Sequence, residues 1–207
     1  MITNKDNLSA AIEKYVDRED RYFKSNLDIM INNAVDRVNK ELKSLFFLKL
    51  YDFNMSSNVK EYSLPEDFAT PINFKILIGE EKQFLIIKDI NFVQEFNSLT
   101  APSVPAYYAI VLNKKIEVAP MPAIARQCFL MYKCRLKNDS NIDNAINSLI
   151  FAYPTIMLYA SLIETVAFTK SLQDLKVYEE LYKKALDEEN KNSLLLKSDS
   201  YYNSLLY

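Results

Sequence analysis

The sequence of 207 residues predicts an α+β fold, mainly α, in which an antiparallel helical bundle carries an inserted β-rich subdomain. Apolar residues recur at helical spacing near both ends of the chain, and short runs with strand character fill the middle. A polar segment, residues 137–144, separates the middle from the second helical part. The predicted divisions are bundle helices at 1–58, the β-rich insertion at 59–137, bundle helices at 138–192 and a C-terminal docking tail at 193–207.

Two amphipathic helices are predicted in the first division. The first covers residues 5–18, where apolar positions follow the i, i+3, i+4, i+7 spacing of one helix face. The second covers residues 25–45, and Ser25 with Asp28 resembles a capping box at its start. The apolar face of this second helix consists of Leu27, Ile31, Ala34, Val35, Val38, Leu42 and Leu45.

The middle of the chain has the pattern of short strands separated by turn residues. Residues 72–78 and 84–87 are predicted to pair as a hairpin around a turn that contains Gly79, the single glycine of the chain. A second hairpin is predicted to turn at Asn113 and Lys114, because Asn tolerates the left-handed backbone conformation. The strands of that hairpin are predicted over 107–112 and 116–118, further strands over 59–64 and 126–136, and a short helix over 89–98.

The second helical part contains the most apolar stretch of the chain, residues 149–168, in which Glu164 is the single charge. Its length meets that of a membrane span, so a membrane-associated protein is one alternative. Pro154 and Glu164 lower its hydrophobicity and no cationic residues flank it, which favours a central helix buried on most sides. Pro154 suits the first turn of a helix that runs to about residue 170. A last helix is predicted over 174–191, with Ser171 and Asp174 as its cap.

The composition excludes several classes of site. The chain has no His, which removes His-based metal sites and the nucleophile systems that use a His base. One glycine is too few for a phosphate-cradling loop. The net charge of −2 provides no basic field that would attract nucleic acid or anionic lipid. No catalytic, cofactor or metal site is predicted.

The acidic residues that resemble catalytic groups each have a simpler explanation. Glu66-Asp67 and Glu80-Glu81 are adjacent carboxylates at predicted turns, where surface acids are common. Glu41, with Lys43, lies on the polar side of the second helix. Glu164 lies inside an apolar helix, where a carboxylate needs a partner, so a structural ion pair with a Lys or Arg is predicted for it.

The strand predicted over residues 126–136 carries two further features. Cys128 and Cys134 would lie about 20 Å apart on one strand. A disulfide needs Cα atoms within about 7 Å, so two free buried thiols are predicted. Residues 132–137 interleave aromatic and basic side chains, and alternation on an edge strand explains this pattern without nucleic acid.

The tail, residues 193–207, is short, apolar and aromatic, and it has no helical stripe. Large apolar side chains are rarely left in water, so the tail is expected either to pack on its own domain or to dock on a partner. The candidate partner-interface residues are Leu194, Leu195, Leu196, Tyr201, Tyr202, Leu205, Leu206 and Tyr207.

The order of several short motifs resembles the head-to-tail adaptor, or connector ring, proteins of short-tailed bacteriophages. Each motif is weak alone, and their order over nearly the whole chain carries the resemblance. The N-terminal helix pair also agrees in position and length. The motifs are LPEDF at 64–68, a Pro and an aromatic strand at 105–110, an apolar strand ending in Pro-x-Pro at 116–122, an aromatic and basic strand at 129–133, a helix opening with Pro at 154–168, and a closing helix with Tyr178 and Tyr182.

The resemblance implies a structural, non-enzymatic virion protein at the head-tail interface. It implies a dodecameric ring beneath the portal that joins the capsid to the tail and lets DNA pass during packaging and ejection. The implied partners are other copies of the chain, the portal protein and neighbouring tail or ring proteins, with DNA only in non-specific passage and no membrane. Assembly in the host cytoplasm is implied, and the abundance of Lys and Asn suggests a crAss-like phage.

Two alternatives to the adaptor function stay open. One is a small, nuclease-like phage enzyme that processes DNA, which would need a carboxylate cluster with bound metal. The other is a membrane-associated protein anchored by residues 149–168.

Overall fold

The computed structural model describes residues 1–112, 114–136, 141–170 and 174–198, with residues 193–198 described by their backbone alone. The protein is α+β and divides into two compact units. The helical unit comprises Met1–Phe47 and Arg135–Tyr207, and the β unit comprises Leu48–Cys134. The β unit therefore begins earlier than the β-rich segment predicted at 59–137, and the arrangement as a bundle with an inserted subdomain stays a prediction.

Among the described residues every strand lies in the β unit. Helices and strands therefore do not alternate regularly along the chain. The helices are α1 (Lys5–Val16), α2 (Arg21–Glu41), α3 (Ile90–Leu99), α4 (Ile142–Ala152), α5 (Pro154–Thr169) and α6 (Leu175–Ser198). The strands are β1 (Leu48–Met55), β2 (Glu61–Ser63), β3 (Phe68–Ile78), β4 (Glu81–Phe84), β5 (Ile86–Ile87), β6 (Tyr107–Val111), β7 (Lys115–Ala119) and β8 (Arg126–Cys134).

Side-chain caps fix the starts of the first two helices. The Asn4 side chain accepts a hydrogen bond from the backbone N–H of Asn7 at the start of α1. The Asp20 side chain accepts one from Phe23 at 2.9 Å, so α2 begins at Arg21. The capping box predicted at Ser25 is therefore wrong, and the Ser25 hydroxyl instead donates to the Tyr22 carbonyl within the helix.

The core of the helical unit lies where α5 packs against α2 and α6. Leu162 and Ile163 of α5 are buried, as the apolar pattern of this segment predicts. They belong to a helix that is apolar around most of its circumference, which is typical of a central helix. The apolar face predicted for α2 is confirmed for Leu27, Ile31, Ala34, Val35 and Val38, all of which are buried.

The apolar stretch at 149–168 is two helices and not one. Helix α4 ends at Ala152, α5 begins at Pro154, and the two are bent by 112°. Pro154 occupies the first turn, where its missing N–H costs no hydrogen bond, so this part of the prediction is confirmed. Within the described part of the chain, no single helix is long and apolar enough to cross a membrane, and α4 and α5 meet the length and composition criteria only as a bent pair.

The β unit contains two four-stranded sheets, with strand orders β1-β8-β3-β4 and β2-β7-β6-β5. Aromatic side chains connect them: the ring of Phe53 lies 5.5 Å from that of Tyr62, and the ring of Phe74 lies 5.3 Å from that of Tyr108. Helix α3 packs on β6 and β7 of the second sheet. The core of the β unit therefore lies between the sheets and beneath α3.

The first predicted hairpin forms, but its second strand comprises residues 81–84 and not 84–87. Strand β4 pairs with β3, with Ile78 opposite Glu81, so the loop is Gly79-Glu80 and Gly79 has a φ of 64°. Residues 86–87 leave this sheet and pair in parallel with β6. The second hairpin, β6 with β7, agrees with the prediction except that Leu112 has a positive φ of 51° and Asn113 lies outside the described residues.

Strand β8 is central and not an edge strand, because it pairs with both β1 and β3. The predicted alternation is confirmed: Cys128, Leu130, Tyr132 and Cys134 are buried, and the residues between them are not. Both cysteines are free and buried, as predicted.

Candidate functional site

The described ranges offer no obvious catalytic centre. Across residues 1–112, 114–136, 141–170 and 174–198, no group of three or more Cys, Asp or Glu side chains could hold a metal ion. A cavity of about 270 Å³ in the helical unit is lined by Tyr15, Arg18, Asp174, Tyr178 and neighbouring residues. A groove along α6 is lined by alternating lysines and carboxylates. Neither brings together the residues that were considered as catalytic candidates.

The turn at residues 65–68 holds a buried carboxylate. Glu66 is exposed, as expected of a turn acid, but Asp67 is buried, so its assignment to the surface is wrong. One carboxylate oxygen of Asp67 lies 2.7 Å from Lys49 Nζ, and the other accepts a hydrogen bond of 2.8 Å from the Tyr132 hydroxyl. These bonds connect the start of β3 to β1 and β8.

The electrostatics around Asp67 favour a fixed structural contact. Burial, together with the hydrogen bond to Asp67, raises the pKa of Tyr132 above its usual range, so the phenol stays a hydrogen-bond donor. Both oxygens of Asp67 are occupied by partners within the β unit. The residue therefore stabilises the LPEDF turn through both of its carboxylate oxygens.

The ion pair predicted for Glu164 is confirmed. Arg37 of α2 donates from Nε at 2.9 Å and from Nη2 at 2.7 Å to the same carboxylate oxygen of Glu164 on α5. Arg37 also lies 4.0 Å from Glu41 in an i, i+4 arrangement on α2. Glu41 therefore belongs, with Arg37 and Glu164, to a group of charged side chains that connects α2 to α5. Burial and the negative charge of Glu41 raise the pKa of Tyr182 on α6.

The sequence pattern does not reveal a second buried carboxylate, Glu117 on β7. Its side chain is 1% exposed, and one oxygen lies 3.0 Å from Lys60 Nζ while the other lies 3.4 Å from Gln94 Nε2. Strand β7 has α3 on one side and the other sheet on the other, so a residue on either face becomes buried. Alternation predicts one exposed face for an antiparallel strand, so the burial of Glu117 cannot be seen in the sequence.

A family comparison decides the class of protein. The model of the SU10 adaptor protein family matches residues 3–204. The chain belongs to the SU10 adaptor protein family. It is therefore a structural protein of a bacteriophage virion, an adaptor of the head-tail junction that associates with other virion proteins. A comparison with curated proteins finds no similar sequence.

For an adaptor, exposed apolar side chains are the relevant sites, because contacts between virion proteins need apolar surface. In the helical unit the exposed large side chains include Tyr22, Ile29, Phe151 and Val177. In the β unit they include Leu50, Phe84, Ile86 and Ile87. The sequence pattern identifies few of them, since a lone exposed Leu or Phe has no distinctive spacing.

The candidate tail residues of the adaptor fall in two groups. Helix α6 includes the backbone of Leu194, Leu195 and Leu196. The prediction that the last helix ends near residue 191 is therefore wrong. Asn190 connects α6 to the end of α2, because its Oδ1 accepts a 2.7 Å hydrogen bond from the Lys43 N–H. Helix α6 therefore continues two turns past this contact. The remaining candidates lie outside the described residues: Tyr201, Tyr202, Leu205, Leu206 and Tyr207.

Proposed function

We propose that this adaptor is the subunit of a ring, a dodecamer, that lies beneath the portal of a tailed phage. The ring joins the capsid to the tail and lets DNA pass during packaging and ejection. The family match over residues 3–204 carries the proposal, because it extends over both units and not over a single motif. In this proposal the helical unit is an antiparallel bundle and the β unit is its inserted subdomain.

The charge of the chain supports a passive role toward DNA. A net charge of −2 gives no overall attraction for phosphates, so DNA is proposed to pass through the lumen without being held. A strongly basic lumen would bind the duplex tightly at low salt and slow its passage. In this proposal DNA passes through the ring without specific contacts and is not a ligand.

The adaptor is proposed to have no catalytic activity. The candidate acids Asp67 and Glu164 each form an ion pair within their own unit, and so does the buried Glu117. We expect no hydrolysis of DNA or nucleotides with Mg²⁺ or Mn²⁺. Turnover that co-purifies with the protein and disappears in Glu66→Gln would contradict this expectation and favour a DNA-processing enzyme.

The C-terminal tail is proposed to dock on another subunit of the connector, either the portal or a neighbouring ring protein. Side chains of this size gain about 1.5–3 kcal/mol each on full burial. The nine residues beyond α6, 199–207, reach up to about 30 Å when extended, which is far enough to contact a neighbour. The proposed interface residues are Leu194, Leu195, Leu196, Tyr201, Tyr202, Leu205, Leu206 and Tyr207.

The proposed setting is the virion of a short-tailed, crAss-like phage, with assembly in the host cytoplasm. The test is negative-stain electron microscopy of the purified protein, alone and mixed with the portal protein of the same phage. Rings with a central channel that stack coaxially on portal rings are the expected result. A protein that stays monomeric at all concentrations and leaves portal particles unchanged would contradict the proposed function.

A further inference from the structure

Three loops form one end of the β unit. Strands β1 and β8 reach this end at Met55 and Arg126, which pair, and strands β6 and β7 reach it at Tyr107 and Ala119, which also pair. The loops connect β1 to β2, α3 to β6 and β7 to β8. We name these loops the neutral cap and define it as residues 56–59, 99–106 and 120–125.

The neutral cap is free of charged residues. None of its eighteen residues is Asp, Glu, Lys or Arg, although the whole chain is 25% charged. Charge returns at its borders, because Lys60 and Arg126 directly follow two of the loops and Glu80 lies in the loop that follows β3 at the same end of the first sheet. A neutral centre with a charged border is the distribution found in protein interfaces, whose centres are depleted in charge and whose rims are polar.

Apolar side chains of the neutral cap face the solvent. Leu99 is 77% exposed, Ile124 is 57% exposed and Val59 is 39% exposed. Exposed apolar side chains bordered by polar residues are typical of interaction sites, because a partner that covers them removes apolar area from water.

The neutral cap is held in shape by hydrogen bonds between its loops. The Asn58 N–H donates to the Pro122 carbonyl at 2.8 Å, and the Ser57 hydroxyl donates to the Ala123 carbonyl at 2.8 Å. The Ala123 N–H donates in turn to the Ser103 carbonyl at 3.0 Å. Four of the seven prolines of the chain also lie here: Pro102, Pro105, Pro120 and Pro122. A surface that is rigid before binding loses little conformational freedom when it binds.

This construction disfavours an extended segment as the occupant, whether it is the C-terminal tail of the same chain or that of another copy. An extended segment binds chiefly by adding a strand to a free sheet edge. The backbone groups at the centre of the neutral cap are already paired with one another, at Asn58, Ser103 and Ala123. A folded surface is therefore the better match.

A second copy of this chain offers folded surfaces that match poorly. The outer face of the sheet β1-β8-β3-β4 carries Asp52, Lys82 and Lys133, and the groove along α6 is lined by lysines and carboxylates. The neutral cap would take water from such ionised groups and provide no charge in return, which is unfavourable.

Contact between two neutral caps would match in charge but not in size or symmetry. Each cap has eighteen residues, whereas a stable interface uses roughly 20–30 residues on each side. The contact would also be two-fold, and a two-fold contact does not continue around a ring. The occupant that remains is a different protein.

We propose that the neutral cap is the docking surface for a second kind of virion protein, which presents a folded recess of apolar and uncharged side chains. Leu99 and Ile124 enter the recess, and Lys60 and Arg126 stay at its rim. The family of the chain consists of adaptors, which associate with other virion proteins. The inference rests on the proposed ring, because many small caps presented together bind a repeated partner far more tightly than one cap does.

A membrane surface is the competing occupant of exposed apolar loops. Segments that bind at the lipid interface use aromatic residues, and Lys or Arg for anionic lipids. The neutral cap contains no aromatic and no basic residue. Its composition therefore favours a protein.

The test adds one charge to the full-length adaptor, in the variants Ile124→Lys and Ile124→Asp. The matched controls are Leu112→Lys and Leu112→Asp, since Leu112 is 87% exposed at the opposite end of strands β6 and β7. Each other structural protein of the same virion is purified and immobilised, and its binding of the adaptor is measured by biolayer interferometry. We expect one of them to bind the wild type, both Ile124 variants to bind about tenfold more weakly or worse, and both Leu112 variants to bind normally.

The sign of the added charge distinguishes the occupants. An uncharged recess rejects Lys and Asp alike, because either ion would be buried without a partner. DNA or an anionic membrane would instead bind Ile124→Lys more tightly than the wild type. Duplex DNA and vesicles of phosphatidylcholine with phosphatidylglycerol are the probes for these cases, and binding to either that follows this order would overturn the inference.

A photo-crosslinking residue identifies the occupant in the virion. Full-length adaptor with p-benzoylphenylalanine in place of Leu99 complements a phage that lacks the adaptor gene, and purified virions are illuminated and digested for mass spectrometry. We expect cross-links from position 99 to the protein found in the binding assay. Cross-links to the adaptor itself, within one chain or between copies, would overturn the inference, and so would the absence of cross-links.

The outcomes separate this inference from the proposed function. Rings in the electron microscope that bind none of the virion proteins through the neutral cap would overturn the inference and leave the ring standing. An adaptor that stays monomeric but binds a virion protein with the expected Ile124 effect would contradict the ring and support the docking surface. Equal weakening by the Ile124 and Leu112 variants would show a general effect of charge and overturn the inference.

Discussion

The helical unit and the β unit differ in where they hold their charged side chains. Among the described residues of the helical unit no buried side chain is charged, and the ion pair Arg37–Glu164 is partly exposed. In the β unit two carboxylates, Asp67 and Glu117, are buried, while Leu50 and Phe84 are exposed. Charge therefore indicates exposure in the helical unit and not in the β unit, where lysines pair with the buried carboxylates.

The largest expected effect concerns the apolar core of the helical unit. Leu162→Ala should lower the free energy of unfolding by about 2–5 kcal/mol, because Leu162 is fully buried in the helical unit and leaves a cavity. Denaturant unfolding followed by circular dichroism measures the change. Val177→Ala, at an exposed position of α6, is the matched control and should stay within about 0.5 kcal/mol. Equal costs for the two variants would mean that α5 is not central.

The next largest loss of stability is expected when a buried carboxylate of the β unit is removed. Asp67→Ala removes a hydrogen bond to Tyr132 and an ion pair to Lys49, and should cost about 2–3 kcal/mol. The cost stays below that of a fully buried pair, since Lys49 is partly exposed and its charge remains solvated. Glu80→Ala, at an exposed turn position of the same unit, should be neutral. A neutral Asp67→Ala in the same unfolding assay would show that the turn needs no carboxylate.

Alkaline pH should destabilise the β unit through its buried acids. Burial raises the pKa of Cys128 to about 11 and that of Tyr62 to about 12. Because the folded state keeps these protons longer than the unfolded state, their contribution is fully present below about pH 9 and is lost as pH rises toward 12. Cys128→Ala should reduce the slope of stability between pH 9 and 11 by up to about 1.4 kcal/mol per pH unit. An unchanged slope would mean that Cys128 titrates normally in the fold.

The smallest effect concerns the loop between β3 and β4. Gly79 has a φ of 64°, and a Cβ added there meets no atom within 4 Å. Gly79→Ala should therefore cost about 1 kcal/mol from backbone conformation alone, without steric clash. Glu80→Ala in the same loop is the control, since Glu80 has no positive φ. A stabilised Gly79→Ala variant would show that the loop readily adopts another turn type.

The helical unit was largely predictable because one apolar face per helix produces a visible 3.6-residue period. The errors there concerned the ends of helices: Asp20 caps α2 five residues before Ser25, where the capping box was predicted, and α6 runs past residue 191. Strand β1 was not predicted, since its inward positions begin with Lys49 while Leu50 points outward, which hides the alternation. Pairing of Ile86 and Ile87 with β6 also depends on tertiary contacts that no local pattern encodes.

Among the candidate sites, Glu164 was predictable because a lone charge in an apolar helix demands a partner. Glu117 was not, since its burial follows from the packing of α3 on β7. The outer face of the sheet β1-β8-β3-β4 could not be seen in the sequence either. Its members come from four strands, and the register that brings Leu50, Met131 and Phe84 to one side is a property of the folded sheet.

The most direct test of the ring is native mass spectrometry of the full chain with and without its portal protein. The account predicts a closed assembly of twelve copies of the 24.1 kDa chain, which adds to the portal as one unit. Monomers alone in both samples, or open series of increasing size without a closed species, would contradict the central claim that this adaptor is a ring subunit of the head-tail junction.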